Sequence, residues 1–330
     1  MNPKEILLIR IDRLGDLILT LPAIHTVHLN FPQAKIDFLV NEQFADIVRN
    51  IPFIRKVYTI KPRSIFRALY LMHEIRKKTY DFVIDLNTST NHLSSLLLFA
   101  AKSKRKAGYA VGIRKYIANI AMPPPSRITY ERDMVLDILR WIKLKKIVTK
   151  VILPEIDDNN VREFLKTLNS NKIIGICPSA SKTNKAWQPQ KYGELIKKIA
   201  KYPCTIILIG SAENKELCAA INKTAENHAI NTAGMFSPVQ LCAIVGKLSL
   251  FVGNNSGPMH IAQACNTPAI IINGNSSITR WINKDIKTTV VINKDQSDYE
   301  AENSQSSRIQ EITVDEVFNE VEKICTKWEE

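Results

Sequence analysis

The sequence predicts an α/β protein built as two doubly wound parallel-sheet halves facing a central cleft. Three observations carry this. Apolar strand-like runs alternate with amphipathic helical stretches through the first hundred residues, and strand–helix–strand order implies a parallel sheet covered on both faces. The same alternation starts again near residue 172. At 330 residues the chain is long enough for two domains of ordinary size. The join falls between Leu153 and Asn171, which gives an N-terminal domain 1–155 and a C-terminal domain 156–330.

In order along the chain, "EILLIR" at 5–10 reads as the first strand and 15–29 as the first helix. Residues 35–40 and 57–60 read as the next strands. "SIFRALYLMHEIRKK" from Ser64 is a helix with Ile65, Leu69, Met72 and Ile75 on one face, and "DFVIDL" from Asp81 is another buried strand. "MPPPS" at 122–126 is a turn or linker. The second half supplies strands at 172–177, 204–210, 249–252 and 268–273, with helices at 190–200, 213–225, 238–245 and 257–264. The last segment carries a helical stripe of Val314, Val317, Phe318, Val321, Ile324, Cys325 and Trp328 behind a capping Thr313. A closing helix of this kind is expected to pack across a domain junction.

Composition excludes several classes. The N-terminus lacks the apolar core and cleavage site of a signal peptide. The uncharged run 17–34 comes closest to a membrane span, but it contains His25, His28, Asn30 and two prolines. The six cysteines form no C-x-x-C pair and read as buried thiols of a reducing compartment. G-x-G-x-x-G, the P-loop and zinc spacing are all missing, which weakens dinucleotide, P-loop and zinc readings. The formal charge of +13 is lopsided: residues 1–155 hold 26 Lys and Arg against 13 Asp and Glu, whereas the rest holds 19 of each. A basic half beside a neutral one points to nucleic acid, a phosphorylated lipid or an anionic membrane surface, or to a merely solvated basic face. No nucleic-acid recognition motif accompanies the charge.

Three loops carry candidate chemistry. In "IRIDRLGDLILTLPAI", Gly15 permits an unusual backbone angle at the turn. Asp16 then stands at a helix N-terminus on the C-terminal edge of the sheet, where open α/β sheets bind ligands. It is a functional carboxylate or a plain helix cap, with Asp12 as a rival. In "CPSASKTNKAWQPQKYGEL" at 177–195, Ser179 and Ser181 suit a loop that brings backbone N–H groups to phosphate. Lys185 is a point charge for a pyrophosphate or a solvated lysine, and Trp187 pins the loop. In "VGNNSGPMHIA" at 252–262, Asn254 and Asn255 suit a turn, Ser256 a cap, Gly257 a close approach and Pro258 the first helical turn. The N–H groups of that turn make an anion site to which His260 can donate, or the segment is a helix cap with a structural histidine.

These segments resemble, in fixed order and over nearly the whole chain, the ADP-heptose:lipopolysaccharide heptosyltransferases of glycosyltransferase family nine. "LGDLILTLPAI" at 14–24 is similar to their opening helix motif and the 177–195 segment to their lysine–tryptophan loop. "FVGNNSGPMHIAQACNTPAIIINGN" at 251–275 is similar to their donor signature, and "GSAENKEL" at 210–217 to a loop whose acidic residue, here Glu213, lies near the donor ribose. The resemblance implies the GT-B fold of two Rossmann-like domains. It implies inverting, metal-independent transfer of heptose from ADP-heptose to Kdo or heptose of the lipopolysaccharide inner core, with no cofactor. Asp16 would be the catalytic base. Donor contacts would come from Ser179, Ser181, Lys185, Glu213, Asn255, Ser256, Gly257 and His260. Acceptor contacts would come from Arg13, Gly15, Arg63, Arg67, Lys104 and Arg105, with Lys102 and Arg114 also available for Kdo carboxylates or lipid A phosphates.

The implied setting is a cytoplasmic monomer, peripheral on the inner face of the cytoplasmic membrane. Its partners would be ADP-heptose, a lipid A–Kdo acceptor and the anionic membrane surface, with no nucleic acid. The pattern departs at Asn255, where the family usually has aspartate, and after Asn273, where a proline-rich loop is missing. A relative using another nucleotide sugar and a non-catalytic sugar-nucleotide-binding subunit are the alternatives. Asn255→Asp is expected to be tolerated.

Overall fold

The run "EILLIR" forms β1 (Glu5–Arg10), in which Ile6 to Ile9 are fully buried. A run buried on both faces is what a parallel sheet flanked by helices requires. It is followed by β2 (Lys35–Asn41), β3 (Ile54–Ile60), β4 (Thr79–Tyr80), β5 (Phe82–Asp85), β6 (Lys102–Ser103), β7 (Lys106–Tyr109) and β8 (Ile120–Met122). This computed structural model describes residues 2–61, 64–156, 158–180, 183–295 and 307–328. Among them, two compact units are formed, Met1–Glu155 and Ile156–Glu330.

The first unit holds a six-stranded sheet in the order β3-β2-β1-β5-β7-β8, parallel throughout. β4 and β6 pair as a separate parallel ribbon. The order reverses beside β1, so the topological switch point lies between β1 and β5. Right-handed crossovers place the helix Leu14–Asn30 on one face of the sheet. The helices Ile65–Arg76, His92–Ala100 and Arg114–Ile117 cover the other face. The helix Glu131–Trp141 packs on Leu14–Asn30.

The second unit repeats the plan with β9 (Ile173–Cys177), β10 (Thr205–Leu208), β11 (Ile230–Asn231), β12 (Leu250–Asn254), β13 (Ala269–Asn273) and β14 (Thr289–Asn293). Their order, β11-β10-β9-β12-β13-β14, is again all parallel and puts the switch point between β9 and β12. The expected doubly wound α/β architecture is therefore the observed one.

Three details differ from the sequence expectations. The closing helix Val314–Cys325, started by a Thr313–Glu316 capping box, lies on the helix Pro189–Ile199. Its Val317, Phe318, Val321 and Cys325 are buried in the second unit's own core. The helix Ile65–Arg76 buries Leu71 and Ile75, while Ile65 and Leu69 are 75% and 58% exposed. Its first two turns are apolar on nearly every side, so periodicity alone does not select the face that meets the sheet. Gly15 lies inside the first helix and is buried, without the positive φ found at Gly112 and Gly234. None of the six cysteines is in a disulfide.

Candidate active site

The apolar run of β1 ends in Arg10, which is 1% exposed. A buried guanidinium is tolerated only with acceptors around it. Its Nη2 donates to Asp16 Oδ1 at 2.8 Å and to Glu131 Oε1 at 2.9 Å, and its Nη1 donates to the Leu86 carbonyl. Nε stands 3.5 Å from the Asp12 carboxylate. Glu131, fully buried, also accepts from the Thr88 hydroxyl at 2.6 Å. One cation thus gathers three carboxylates at the β1–β5 switch point. Burial works against the charge on Arg10, but Asp16, Glu131 and Asp12 outweigh it and hold the guanidinium above its ordinary value.

Asp16 sits in the first helical turn and its Oδ2 accepts the Arg13 backbone N–H at 3.3 Å. It therefore caps the helix and faces the switch point at once. The side chain remains 16% exposed, whereas Glu131 is sealed. Burial pushes the Asp16 carboxyl up, Arg10 pulls it down, and Asp12 and Glu131 push it up again. The net direction is upward, toward a stronger base than an ordinary aspartate. Asp12 accepts from the Asn91 amide at 3.0 Å.

A second buried pair frames this edge. Arg114 Nε lies 2.8 Å from Asp85 Oδ2, with both side chains fully buried. Arg114 also donates to the Asn87 carbonyl at 2.6 Å and to Ser94 Oγ at 3.0 Å. Its guanidinium is built into the scaffold and does not face an acceptor's anions, contrary to the expectation for this residue. Arg13 is exposed at the start of the first helix, beside Asp16. Arg67 is exposed on the helix that follows β3, with Glu42 at 3.5 Å. Arg63 lies outside the described residues.

Lys102, Lys104 and Arg105 precede β7, and the Arg105 carbonyl accepts from Val83 N–H at 2.9 Å. All strands run the same way, so these three residues lie at the N-terminal edge, a full strand's length from Asp16. The structure does not bring them to the carboxylate. Sequence reasoning missed Arg10, Glu131 and Asp85. The one available signal was an arginine that closes an apolar run, since such a residue must meet acids from elsewhere in the chain.

In the second unit the candidates follow the C-terminal ends of β9, β10 and β12. Asn254 is fully buried: its amide donates to the Pro178 carbonyl at 2.7 Å and its oxygen accepts Trp187 N–H at 3.2 Å. It ties the loop after β9 to the end of β12. Trp187 donates from Nε1 to the Ile312 carbonyl at 2.9 Å and packs edge-on against Tyr192. At Gly253 a Cβ would stand 2.5 Å from the Cys177 carbonyl, so only glycine permits this approach of β12 to β9.

Lys185 Nζ donates to Ser276 Oγ at 2.9 Å, reaching the loop after β13. Ser179 Oγ lies 3.4 Å from Cys177 Sγ. Ser256 is the N-cap of the helix Gly257–Ala264, with Pro258 in the first turn, and its hydroxyl makes no cap bond. His260, on the same helix, is buried, its ring 6.1 Å from that of Trp281. Glu213 is exposed on the short helix Ala212–Asn214 after β10. Ser181 lies outside the described residues. Among the described residues, no group of three or more His, Cys, Asp or Glu is placed to hold a metal ion.

Asn255 has a specific partner: its Nδ2 donates to Asn273 Oδ1 at 2.9 Å. Asn273 uses its own amide nitrogen on the carbonyls of Gly274 and Ser276, at 2.8 and 2.9 Å. Its oxygen is thereby fixed toward position 255, which must donate. An aspartate there would set carboxylate against amide oxygen. Asn255→Asp is therefore expected to be destabilising by about 1–3 kcal/mol, which reverses the tolerance expected from the sequence. Thermal unfolding checks this, and an unchanged melting temperature would restore the earlier expectation.

Residues 68–310 match the family model described as Glycosyltransferase family 9 (heptosyltransferase). The chain is 27% identical over 324 residues to lipopolysaccharide heptosyltransferase 1 of Campylobacter coli, covering 89% of this chain and 94% of that one. It is 26% identical over 282 residues to lipopolysaccharide heptosyltransferase 3 of Escherichia coli K12, covering 81% of each. The solved structure of E. coli ADP-heptose lps heptosyltransferase II superposes with a TM-score of 0.78 at 21% identity, over 99% of this chain and 100% of that one. With two parallel six-stranded sheets of the GT-B kind and a family match across most of its length, the chain belongs to glycosyltransferase family 9, the heptosyltransferases, and is a glycosyltransferase.

Proposed function

We propose that the protein transfers heptose from ADP-heptose to Kdo or heptose of the lipopolysaccharide inner core, with inversion and without a metal ion. The observation that carries this reading is Asp16, a part-exposed carboxylate at a switch point, aimed by Arg10 and raised in basicity by its surroundings. In the proposed step Asp16 takes the proton of an acceptor hydroxyl while that oxygen attacks the anomeric carbon. The bond from that carbon to the diphosphate oxygen breaks, and ADP leaves with the electron pair.

The N-terminal unit is proposed to hold the acceptor and the C-terminal unit the donor. Lys185, the Ser179 and Ser256 hydroxyls and the Gly257 N–H are proposed to receive the diphosphate, with Ser181 in the same loop. Glu213 is proposed for the ribose hydroxyls, and Asn255 and His260 to hold the shape of the phosphate turn. Arg13, Gly15, Arg63 and Arg67 are proposed to form the side that meets the acceptor's anionic groups. The printed names of the relatives, lipopolysaccharide heptosyltransferases, support the substrate class. The setting proposed is a cytoplasmic monomer on the inner face of the cytoplasmic membrane. Among the described residues, no helix is long and apolar enough to cross a membrane.

The test is ADP release from ADP-heptose with a panel of truncated lipopolysaccharide cores, with and without EDTA. Transfer to an inner-core acceptor that survives chelation is expected. Loss on chelation with recovery on adding magnesium would remove the metal-free step. Lys185→Ala is expected to weaken ADP binding by roughly ten-fold or more, as for a lost hydrogen bond to a charged group. Equal affinity by calorimetry would take Lys185 out of the donor site.

A further inference from the structure

We propose that the helical layer over one face of the first sheet is a membrane-docking surface that presses apolar side chains into an anionic bilayer. Among the described residues, eight of the thirteen exposed large hydrophobic side chains lie between positions 65 and 116. Seven of these lie on three helices: Ile65, Phe66, Leu69 and Tyr70 on Ile65–Arg76, Leu96 and Phe99 on His92–Ala100, and Tyr116 on Arg114–Ile117. Phe66 is 87% exposed and Tyr116 is 80% exposed. These three helices follow one another in the chain, pack side by side and cover the same face of the sheet. The sheet buries only their inner ridges, so the outer ridges leave several large apolar side chains of neighbouring helices uncovered by the unit.

Charge identifies the occupant. Residues 61–116 contain twelve Lys and Arg against three Asp and Glu. On the helix Ile65–Arg76 the apolar outer ridge passes into His73, Arg76 and Lys77. Lys115 lies over the Tyr116 ring at 4.8 Å, and Lys106 lies against the Phe99 ring at 5.9 Å. Burial, and then the nearby Arg76, lower the Lys106 ammonium's pKa, the direction expected where cations crowd together. Apolar and aromatic tips bordered by cations match the interface of an anionic bilayer. A second copy of this face would bring two strongly positive surfaces together. The apolar half of the helix Ile65–Arg76 also starts at the sheet edge that carries Asp16, so docking would present that edge to a lipid-linked acceptor. In this respect the proposal rests on the function proposed above, while the docking itself is measured separately.

The full-length protein is sedimented with vesicles of phosphatidylcholine alone, or of phosphatidylcholine mixed equally with phosphatidylglycerol. Binding to the mixed vesicles is expected, and the triple variant F66S/L69S/F99S should bind roughly ten-fold more weakly or worse. These side chains are exposed, so the variant should keep its melting temperature and its transfer rate on a delipidated core acceptor. Wild-type binding by a folded variant overturns the proposal. So does wild-type protein that ignores both vesicles, or that instead forms a dimer abolished by the same substitutions. Vesicle binding without heptose transfer would leave docking standing and remove the proposed function. Transfer without vesicle binding would do the reverse.

Discussion

Asp16→Asn is expected to lower turnover by about 10²–10⁴-fold, the usual worth of a positioned general base, with no loss of stability at neutral pH. The asparagine oxygen can still accept from Arg10, which holds the buried cluster together, while the solvent-exposed Arg13 N–H gives up its side-chain acceptor to water. The stability sign follows from the raised carboxyl. A carboxyl raised by folding contributes stability below its unfolded value and loses it as pH rises through the folded one. Ionised Asp16 is thus a burden on the native state, and the amide removes it. The wild-type rate should fall on acidification with a midpoint above the ordinary aspartate value of about 3.9. A pH–rate profile and a thermal melt check both halves. More than a tenth of wild-type turnover in the variant would pass the base role to Asp12.

Removing the cation should have the largest effect on folding. Arg10→Gln leaves Glu131 buried and strips Asp16 and Asp12 of their shared partner. Breaking a buried ion cluster from one side costs about 3–5 kcal/mol, a large part of the stability of an ordinary domain. Urea unfolding should show this loss, and a loss below one kcal/mol would mean that water reaches the cluster. Glu131→Gln gives the opposite titration: it deletes one negative neighbour and leaves Arg10 in place. The acid limb of the rate should then move to lower pH, provided Asp16 is the titrating group.

The parts of this architecture that were legible in the sequence are those fixed by local composition. β1, β9, β12 and β13 are buried on both faces and therefore read as unbroken apolar runs. Asp16 and Ser256 were visible because each stands at the start of the helix that follows such a run. What stayed hidden depends on partners far along the chain. Arg10 and Glu131 are 121 residues apart, and a glutamate that opens a helix is unremarkable by itself. Arg114 reads as surface charge until Asp85 is seen beside it. Lys104 and Arg105 fitted the basic half, but net charge does not say which edge of a sheet a residue occupies. Residues just before a strand belong to the opposite edge from those after it, yet "KAGY" is too short and small to announce β7. Asn255 and its partner Asn273 come from separate strand ends, so their required donor–acceptor order is invisible before folding.

The Arg10 cluster also bears on the order in which the chain takes shape during synthesis. The whole first sheet is complete once residue 122 has been made. At that point the arginine ending its central strand still lacks its innermost acid, which arrives with the helix Glu131–Trp141. That helix also covers the helix Leu14–Asn30. A nascent chain emerging from the ribosome would therefore hold a finished sheet with an incompletely compensated charge at its centre. The helix Glu131–Trp141 is thus the last part of the Arg10 cluster to be made, and it is made before any strand of the second unit.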